Sequence, residues 1–218
     1  RNGLMNSWGY YTQNGAAGLT QEEYINSRPI TWPARIWDYD RPVNAAGAFI
    51  ITSAERARDC KGKPAYVLGV GEKHTHEFIV CAESLTQFGA EESGRDAYTM
   101  AGVGPADIDV AQLYDCFSIV PVIELEELGF CKRGEGGAFY ADGHADIGGK
   151  LPINTHGGML SHAHAGATGG LLGIIEAVAQ LRGGLGARQV EGAEVALVHN
   201  EGGVLSSHCT VILANSPR

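Results

Sequence analysis

Residues 154–170 read NTHGGMLSHAHAGATGG and hold three of the chain's eight histidines among closely spaced glycines. Histidine is the side chain best suited to moving protons near neutral pH. Glycine lets the backbone come close to a ligand and turn through positive φ. An apolar run suited to a helix follows at 171–181, so the glycine-rich turn would feed a helix N-terminus whose free N–H groups can hold an anion or oxyanion. His156, His162 and His164 are spaced by six and two residues, but the run lacks a carboxylate, which argues against a metal site. One histidine acting as acid or base suits it better. The bland alternative is a mobile glycine loop with incidental histidines.

Two other stretches carry reactive groups. Tyr114-Asp115-Cys116-Phe117 follows an expected strand, and ligands of α/β proteins collect outside strand carboxyl ends. Tyr114 offers a proton donor or acceptor and Cys116 a nucleophile; the plain reading is a core aromatic with Asp115 capping a helix. His199-Asn200-Glu201-Gly202-Gly203 is expected to join the last two strands. There Asn200 or the glycine N–H groups could polarise an oxygen, or the segment could be only a polar hairpin turn.

The elements that must position these groups follow from patterning. Thr20 and Glu23 have capping-box spacing for a short helix. Pro29 and Pro33 end it and lead into an extended segment to residue 44. Strands are expected at 45–52, 65–71, 107–113, 193–199 and 207–214. Helices are expected after Ser53, over 82–102, over 118–128 and to about residue 182. A glycine-rich loop is expected over 129–151. Such alternation gives a layered α/β fold with a mixed sheet.

Composition excludes some classes. A net charge of −9, from 16 basic and 25 acidic residues, argues against a nucleic-acid surface. No apolar run reaches the roughly 20 residues of a membrane span, and no signal-peptide pattern opens the chain. Five scattered cysteines without CxxC argue against disulfides or zinc, favour a cytoplasmic location, and suggest mostly buried small apolar residues. The start at Arg1 reads as a fragment of something longer.

Taken in order, the three stretches resemble the C-terminal half of the thiolase superfamily, and the resemblance covers nearly the whole chain. YDCFS is similar to the HDCF motif of sterol-carrier-protein-type thiolases, which stands where other thiolases have NEAF. NTHGG followed by His164 is similar to the family's NxxGG and the histidine of GHPxGxTG. HNEGG stands at the CxG position. AAGAFIITSAERARD resembles the closing strand and helix of the family's N-terminal domain, and NSRPITWPARIWDYDRPVNAAGA the loop segment before it. The resemblance implies a thiolase-like fold layered αβαβα with mixed five-stranded sheets. Residues 1–63 would be the tail of the first half and 64–218 the second. It also implies a coenzyme A thioester as substrate without a covalently bound cofactor, an acyltransferase or aldolase activity, and a homodimer.

The departures bear on mechanism. In the usual family reaction an acyl-cysteine forms in the first half, and the CxG cysteine moves the α-proton. Here His199 replaces that cysteine, and Tyr114 opens the NEAF-like motif. Counting back from Thr168-Gly169 would put Ala163 at the histidine position; the ungapped count from NTHGG gives His164. A tyrosine in YDCF resembles the thiolase-like aldolases of steroid side-chain degradation, which cleave β-hydroxyacyl-CoA through tyrosines and work with an OB-fold partner of the DUF35 kind. The expected catalytic set is therefore Tyr114, His164 and His199. His164 would stabilise a thioester enolate, Tyr114 would move a proton, and His199 would be the second acid/base. Asn154, Gly157, Gly158, Gly202 and Gly203 are expected at the coenzyme A thioester, with no metal. Tyr10, Tyr11, Trp32 and Trp37 are candidates for an acyl tunnel, though core packing suits most of them. The alternative is a non-catalytic thiolase-like subunit that binds acyl-CoA and scaffolds a DUF35 partner.

Overall fold

A computed structural model describes residues 19–40, 42–166 and 168–217. Its centre is a mixed four-stranded sheet of β3 (Tyr66–His74), β6 (Ser207–Ala214), β5 (Val195–Gly202) and β4 (Val110–Gln112), in that order. β3 and β5 both run antiparallel to β6, and β4 runs parallel to β5. The short pair β1 (Pro29–Thr31) and β2 (Ala34–Arg35) stands apart.

Both faces of the sheet are covered, and β5 shows how the sequence arranges this. Successive strand residues point to opposite faces. Val195 and Leu197 join the cluster holding Ala90 and Ala97 of α3 (Ala90–Ala101) and Leu125 of α4 (Val120–Glu127). Ala196 and Val198 join Ala177 and Leu181 of α7 (Thr168–Arg182). The strand is therefore apolar on both sides, as a central strand between helix layers must be. Helix α3 lies so close to β3 that a Cβ on Gly71 would come within 1.9 Å of the Ser93 carbonyl oxygen, so only glycine fits there.

Several expected elements form. The Thr20–Glu23 capping box opens α1 (Gln21–Asn26). Ser53 caps α2 (Ala54–Ala57), its hydroxyl accepting from the Arg56 N–H. Gly102 ends α3 at φ 67°. Others differ. The helix expected from 82 begins only at Ala90. The loop expected over 129–151 contains α5 (Gly136–Ala141). Segment 45–52 is not a strand: no described strand runs beside it to share backbone hydrogen bonds, and Ile50 and Ile51 are 92% and 80% exposed. The main sheet described has four strands, where the resemblance led to an expectation of five. The cysteines, expected to be mostly buried, also differ: Cys60 and Cys81 are exposed and the other three are half-buried; all five are free thiols. No helix among the described residues is long and apolar enough to cross a membrane.

Candidate active site

The site lies where β4 ends. Asn154, buried and at φ 50°, forms a bracket there: its Oδ1 accepts from the Leu113 N–H at 2.8 Å and its Nδ2 donates to the Leu113 carbonyl at 3.0 Å. Thr155 ties the same turn to α7 by donating to Glu176 Oε1 at 2.7 Å, and Arg188 closes on Glu176 from the other side. The buried Asp115 does cap a helix, but not the one that follows it. Its carboxylate accepts from the Met159 N–H at 2.7 Å and the Leu160 N–H at 3.4 Å, at the start of α6 (Gly158–Ser161). A Cβ on Gly158 would lie 2.0 Å from Asp115 Oδ2, and Gly158 sits at φ 63°. The second glycine of NTHGG is therefore needed to admit Asp115. Burial pushes the Asp115 carboxyl up to about 7, and the two N–H groups hold it back from rising further.

Thus the YDCF and NTHGG turns are locked to each other, and Asn154 and Gly158 form the lock. Asn154, Gly157 and Gly158, expected at the coenzyme A thioester, are all buried at this lock. Gly202 is half-buried at the end of β5, and Gly203 is exposed in the turn after it at φ 68°.

The lock brings two predicted residues together. The Tyr114 hydroxyl lies 3.1 Å from His164 Nε2, with the rings edge-on at 88°. His164 Nδ1 is hydrogen-bonded to the carboxylate of Asp40. A carboxylate only accepts, so Nδ1 carries the proton and Nε2 is left to accept from Tyr114. The result is an Asp40–His164–Tyr114 series about one-fifth exposed at His164 and Asp40. Burial raises the Tyr114 pKa, and the charges of Cys116, Glu201, Asp40 and Glu124 raise it further. A free tyrosinate is disfavoured, so a proton leaving Tyr114 is best passed directly to His164.

Asp40 was not singled out in the sequence, since it lies 124 residues from His164. Segment 38–43 is stitched into the site by main-chain bonds. The Asp40 N–H donates to the Cys116 carbonyl at 2.9 Å, the Val43 N–H to the His164 carbonyl at 3.0 Å, and the Ser118 N–H to the Asp38 carbonyl at 3.0 Å. Tyr39 and Phe117 pack edge to face at 5.3 Å. The only sequence signal was a Trp-, Tyr- and Asp-rich extended segment.

His199 is not joined to that series. It lies within β5, not in a turn, and shares its sheet face with Val195 and Leu197, which places it in the core. It is fully buried. Its Nδ1 pairs with Thr210 Oγ1 at 2.8 Å and its Nε2 with His208 Nδ1 at 3.2 Å, while His208 Nε2 reaches the Leu205 carbonyl at 3.1 Å. The carbonyl can only accept, so His208 Nε2 donates; His199 Nε2 then donates to His208 Nδ1, and Thr210 donates to His199 Nδ1. Burial pushes His199 down to about 3, and neighbouring His208 adds to the effect. His199 is thus a neutral imidazole whose two ring nitrogens are both engaged, and it lies apart from the Tyr114–His164 pair. The neighbouring Asn200 points the other way, toward Gly170 in the first turn of α7, where a Cβ would meet Asn200 Oδ1 at 2.6 Å.

The remaining candidates divide. His156 is half-buried and held down to about 4, chiefly by desolvation of its ring, and His162 is half-buried and also lowered. Their rings lie 5.6 Å apart, away from the Tyr114 pair's hydrogen bonds. Burial pushes the Cys116 thiol up, with Glu201 adding to the effect, which makes Cys116 a poor nucleophile. Trp32 is 80% exposed and Trp37 half-buried; Tyr10 and Tyr11 lie outside the described residues. No group of three or more His, Cys, Asp or Glu among the described residues is arranged to hold a metal ion.

With this geometry in hand, comparison with known proteins is informative. Residues 71–215 match the family described as thiolase C-terminal domain-like. The chain is 36% identical over 186 residues to an acetyl-CoA acetyltransferase of Methanothermobacter thermautotrophicus, covering 85% of this chain and 49% of that protein. It is 39% identical over 196 residues to the 17-hydroxy-3-oxo-4-pregnene-20-carboxyl-CoA lyase of Mycobacterium tuberculosis, covering 87% and 49% respectively. The solved Ltp2-ChsH2(DUF35) aldolase superposes with a TM-score of 0.77 at 34% identity, covering 91% of this chain and 52% of that one. The chain thus spans about half the length of the curated relatives it matches. A mixed sheet between helix layers, three ordered motifs and a family match over residues 71–215 lead to one conclusion: this chain belongs to the thiolase superfamily, with residues 71–215 thiolase C-terminal domain-like.

Proposed function

We propose that the protein makes or breaks a carbon–carbon bond next to an acyl-CoA thioester, and that it works by aldol cleavage of a β-hydroxyacyl-CoA. The observation that carries this is the series Asp40–His164–Tyr114. As the substrate's β-hydroxyl gives its proton to the Tyr114 oxygen, Tyr114 passes its own proton to His164 Nε2. Asp40 stabilises the resulting imidazolium. The β-oxygen closes to a carbonyl, the Cα–Cβ bond breaks, and its electron pair moves onto the thioester as an enolate. Asn200, on β5 facing the first turn of α7, is proposed to donate to the enolate oxygen. No acyl-enzyme is required, which agrees with the raised Cys116 thiol.

The likeness to a carboxyl-CoA lyase and to a solved aldolase supports cleavage. The likeness to an acetyl-CoA acetyltransferase supports a second reading, acyl transfer through a cysteine outside these residues. The proposal extends to a cytoplasmic homodimer with a DUF35-type partner, as in the composition of the solved Ltp2-ChsH2(DUF35) aldolase. It includes a coenzyme A thioester as substrate and no covalently bound cofactor.

The test is to give the complete protein a β-hydroxyacyl-CoA and follow the carbonyl product and the shortened acyl-CoA. Aldol cleavage predicts both in equal amounts, lost in His164→Ala. Acetoacetyl-CoA formed from acetyl-CoA through a trappable acyl-enzyme would establish acyl transfer instead. Binding without turnover would make the chain a scaffold subunit.

A further inference from the structure

With His199 in the core, the site lacks a group to serve the α-carbon, and the same strand supplies one two residues later. Glu201 points to the same sheet face as His199, but at the end of β5, where the strand leaves the core, and is half-buried. Cys116 Sγ donates to its Oε1 at 3.5 Å, and the Leu205 N–H donates to its Oε2 at 2.7 Å. Cys116 is two residues from Tyr114, and the Glu201 charge acts on both the Tyr114 hydroxyl and the Cys116 thiol. Glu201 is thereby tied to the YDCF turn, two residues from Tyr114.

We propose that Glu201 is the second proton-transfer group of the site, exchanging a proton with the α-carbon of the acyl-CoA while Tyr114 and His164 serve the β-hydroxyl. This rests on the enolate chemistry proposed above. After Cα–Cβ cleavage, the enolate's electron pair takes the proton of the Glu201 carboxyl, leaving Glu201 as a carboxylate. Water then reprotonates Glu201, and His164 releases its proton to water. Run on an unbranched acyl-CoA, the carboxylate takes an α-proton, the electrons move onto the thioester oxygen, and the proton is later returned.

The chemistry of the surroundings agrees. Burial raises the Glu201 carboxyl above its ordinary range, with the Leu205 N–H and the Cys116 thiol pulling it partly back, and no cation figures among these influences. Such a carboxyl can hold or give a proton closer to neutral pH than an exposed one. The competing role is purely structural: a carboxylate that closes the β5–β6 turn by accepting from Leu205. Glutamine serves that role equally well.

The experiment is hydrogen–deuterium exchange at the methyl group of acetyl-CoA, using the complete protein in D2O. Wild type is expected to exchange. Glu201→Gln is expected to exchange at least about 10²-fold more slowly, with unchanged melting temperature and unchanged apparent affinity for acetyl-CoA. Glu201→Asp is expected to keep part of the rate, and it decides the matter if the glutamine variant does not fold. If either folded variant exchanges as fast as wild type while Tyr114→Phe abolishes cleavage of a β-hydroxyacyl-CoA, Glu201 is structural and the aldolase reading survives. If wild type binds acetyl-CoA and shows no exchange, the enolate reading fails and the Glu201 assignment falls with it.

Discussion

The hydroxyl of Tyr114 lies 3.1 Å from Nε2 of His164, fifty residues away in sequence, and the far nitrogen of that imidazole is bonded to Asp40. Three segments of the chain must converge for this contact to exist. Segment 38–43 brings Asp40, the end of β4 brings Tyr114, and the NTHGG turn sets the path to His164. The convergence gives a half-buried tyrosine a proton acceptor it would otherwise lack.

Asp40 acts through His164, so its loss is expected to affect the rate more than binding. Asp40→Asn keeps the backbone bond to Cys116 but removes the charge that fixes the imidazole tautomer. We expect kcat to fall by about 10²-fold with little change in KM. Steady-state kinetics of the complete protein on an acyl-CoA substrate checks this. An unchanged kcat would remove Asp40 from the relay.

Much of this site was legible in the sequence because its motifs are local. YDCF and NTHGG announce a strand end and a glycine turn, and Tyr114 and His164 do meet. What was not legible depends on contacts distant in sequence. Asp40 is an unremarkable aspartate until segment 38–43 crosses the YDCF turn. His199 was expected to end its strand and open the HNEGG turn, yet β5 runs on to Gly202 and the alternation of Val195, Leu197 and His199 carries it into the core beside Thr210. The run at 45–52 has the composition of a strand, but a strand also needs a neighbour, and none is among the described residues.

Gly158 is expected to tolerate no side chain. Alanine there would meet Asp115 and adopt a left-handed backbone, which alone costs about 1–3 kcal/mol. Gly158→Ala should lower the melting temperature by several degrees and also slow turnover, since it displaces the YDCF turn. Thermal denaturation followed by circular dichroism checks the first effect. A melting curve like that of wild type would contradict the lock between the two turns.

The buried histidines predict acid sensitivity. His199 is held near 3, below the ordinary value of about 6.5. Its neutral form therefore contributes stability that is complete above about pH 6.5 and is lost as pH falls toward 3, by up to about 1.4 kcal/mol per pH unit. Urea denaturation between pH 7 and 4.5 should show the loss, and His199→Gln should flatten it.

Asp115 predicts the opposite sign. Its folded value of about 7 lies above the unfolded one, so its contribution is complete below about pH 4 and lost as pH rises through 7. Asp115→Asn should therefore remove a stability loss between about pH 4 and 7. Parallel slopes for wild type and variant in that window would show that Asp115 stays ionised.

The most direct measurement is a double-mutant cycle on turnover of an acyl-CoA by the complete protein, using Tyr114→Phe, His164→Gln and the pair together. If Tyr114 and His164 form one relay, the double variant is no slower than the slower single variant, because removing either end disables the whole. If instead the two losses multiply in the double variant, the residues act independently and the relay is contradicted.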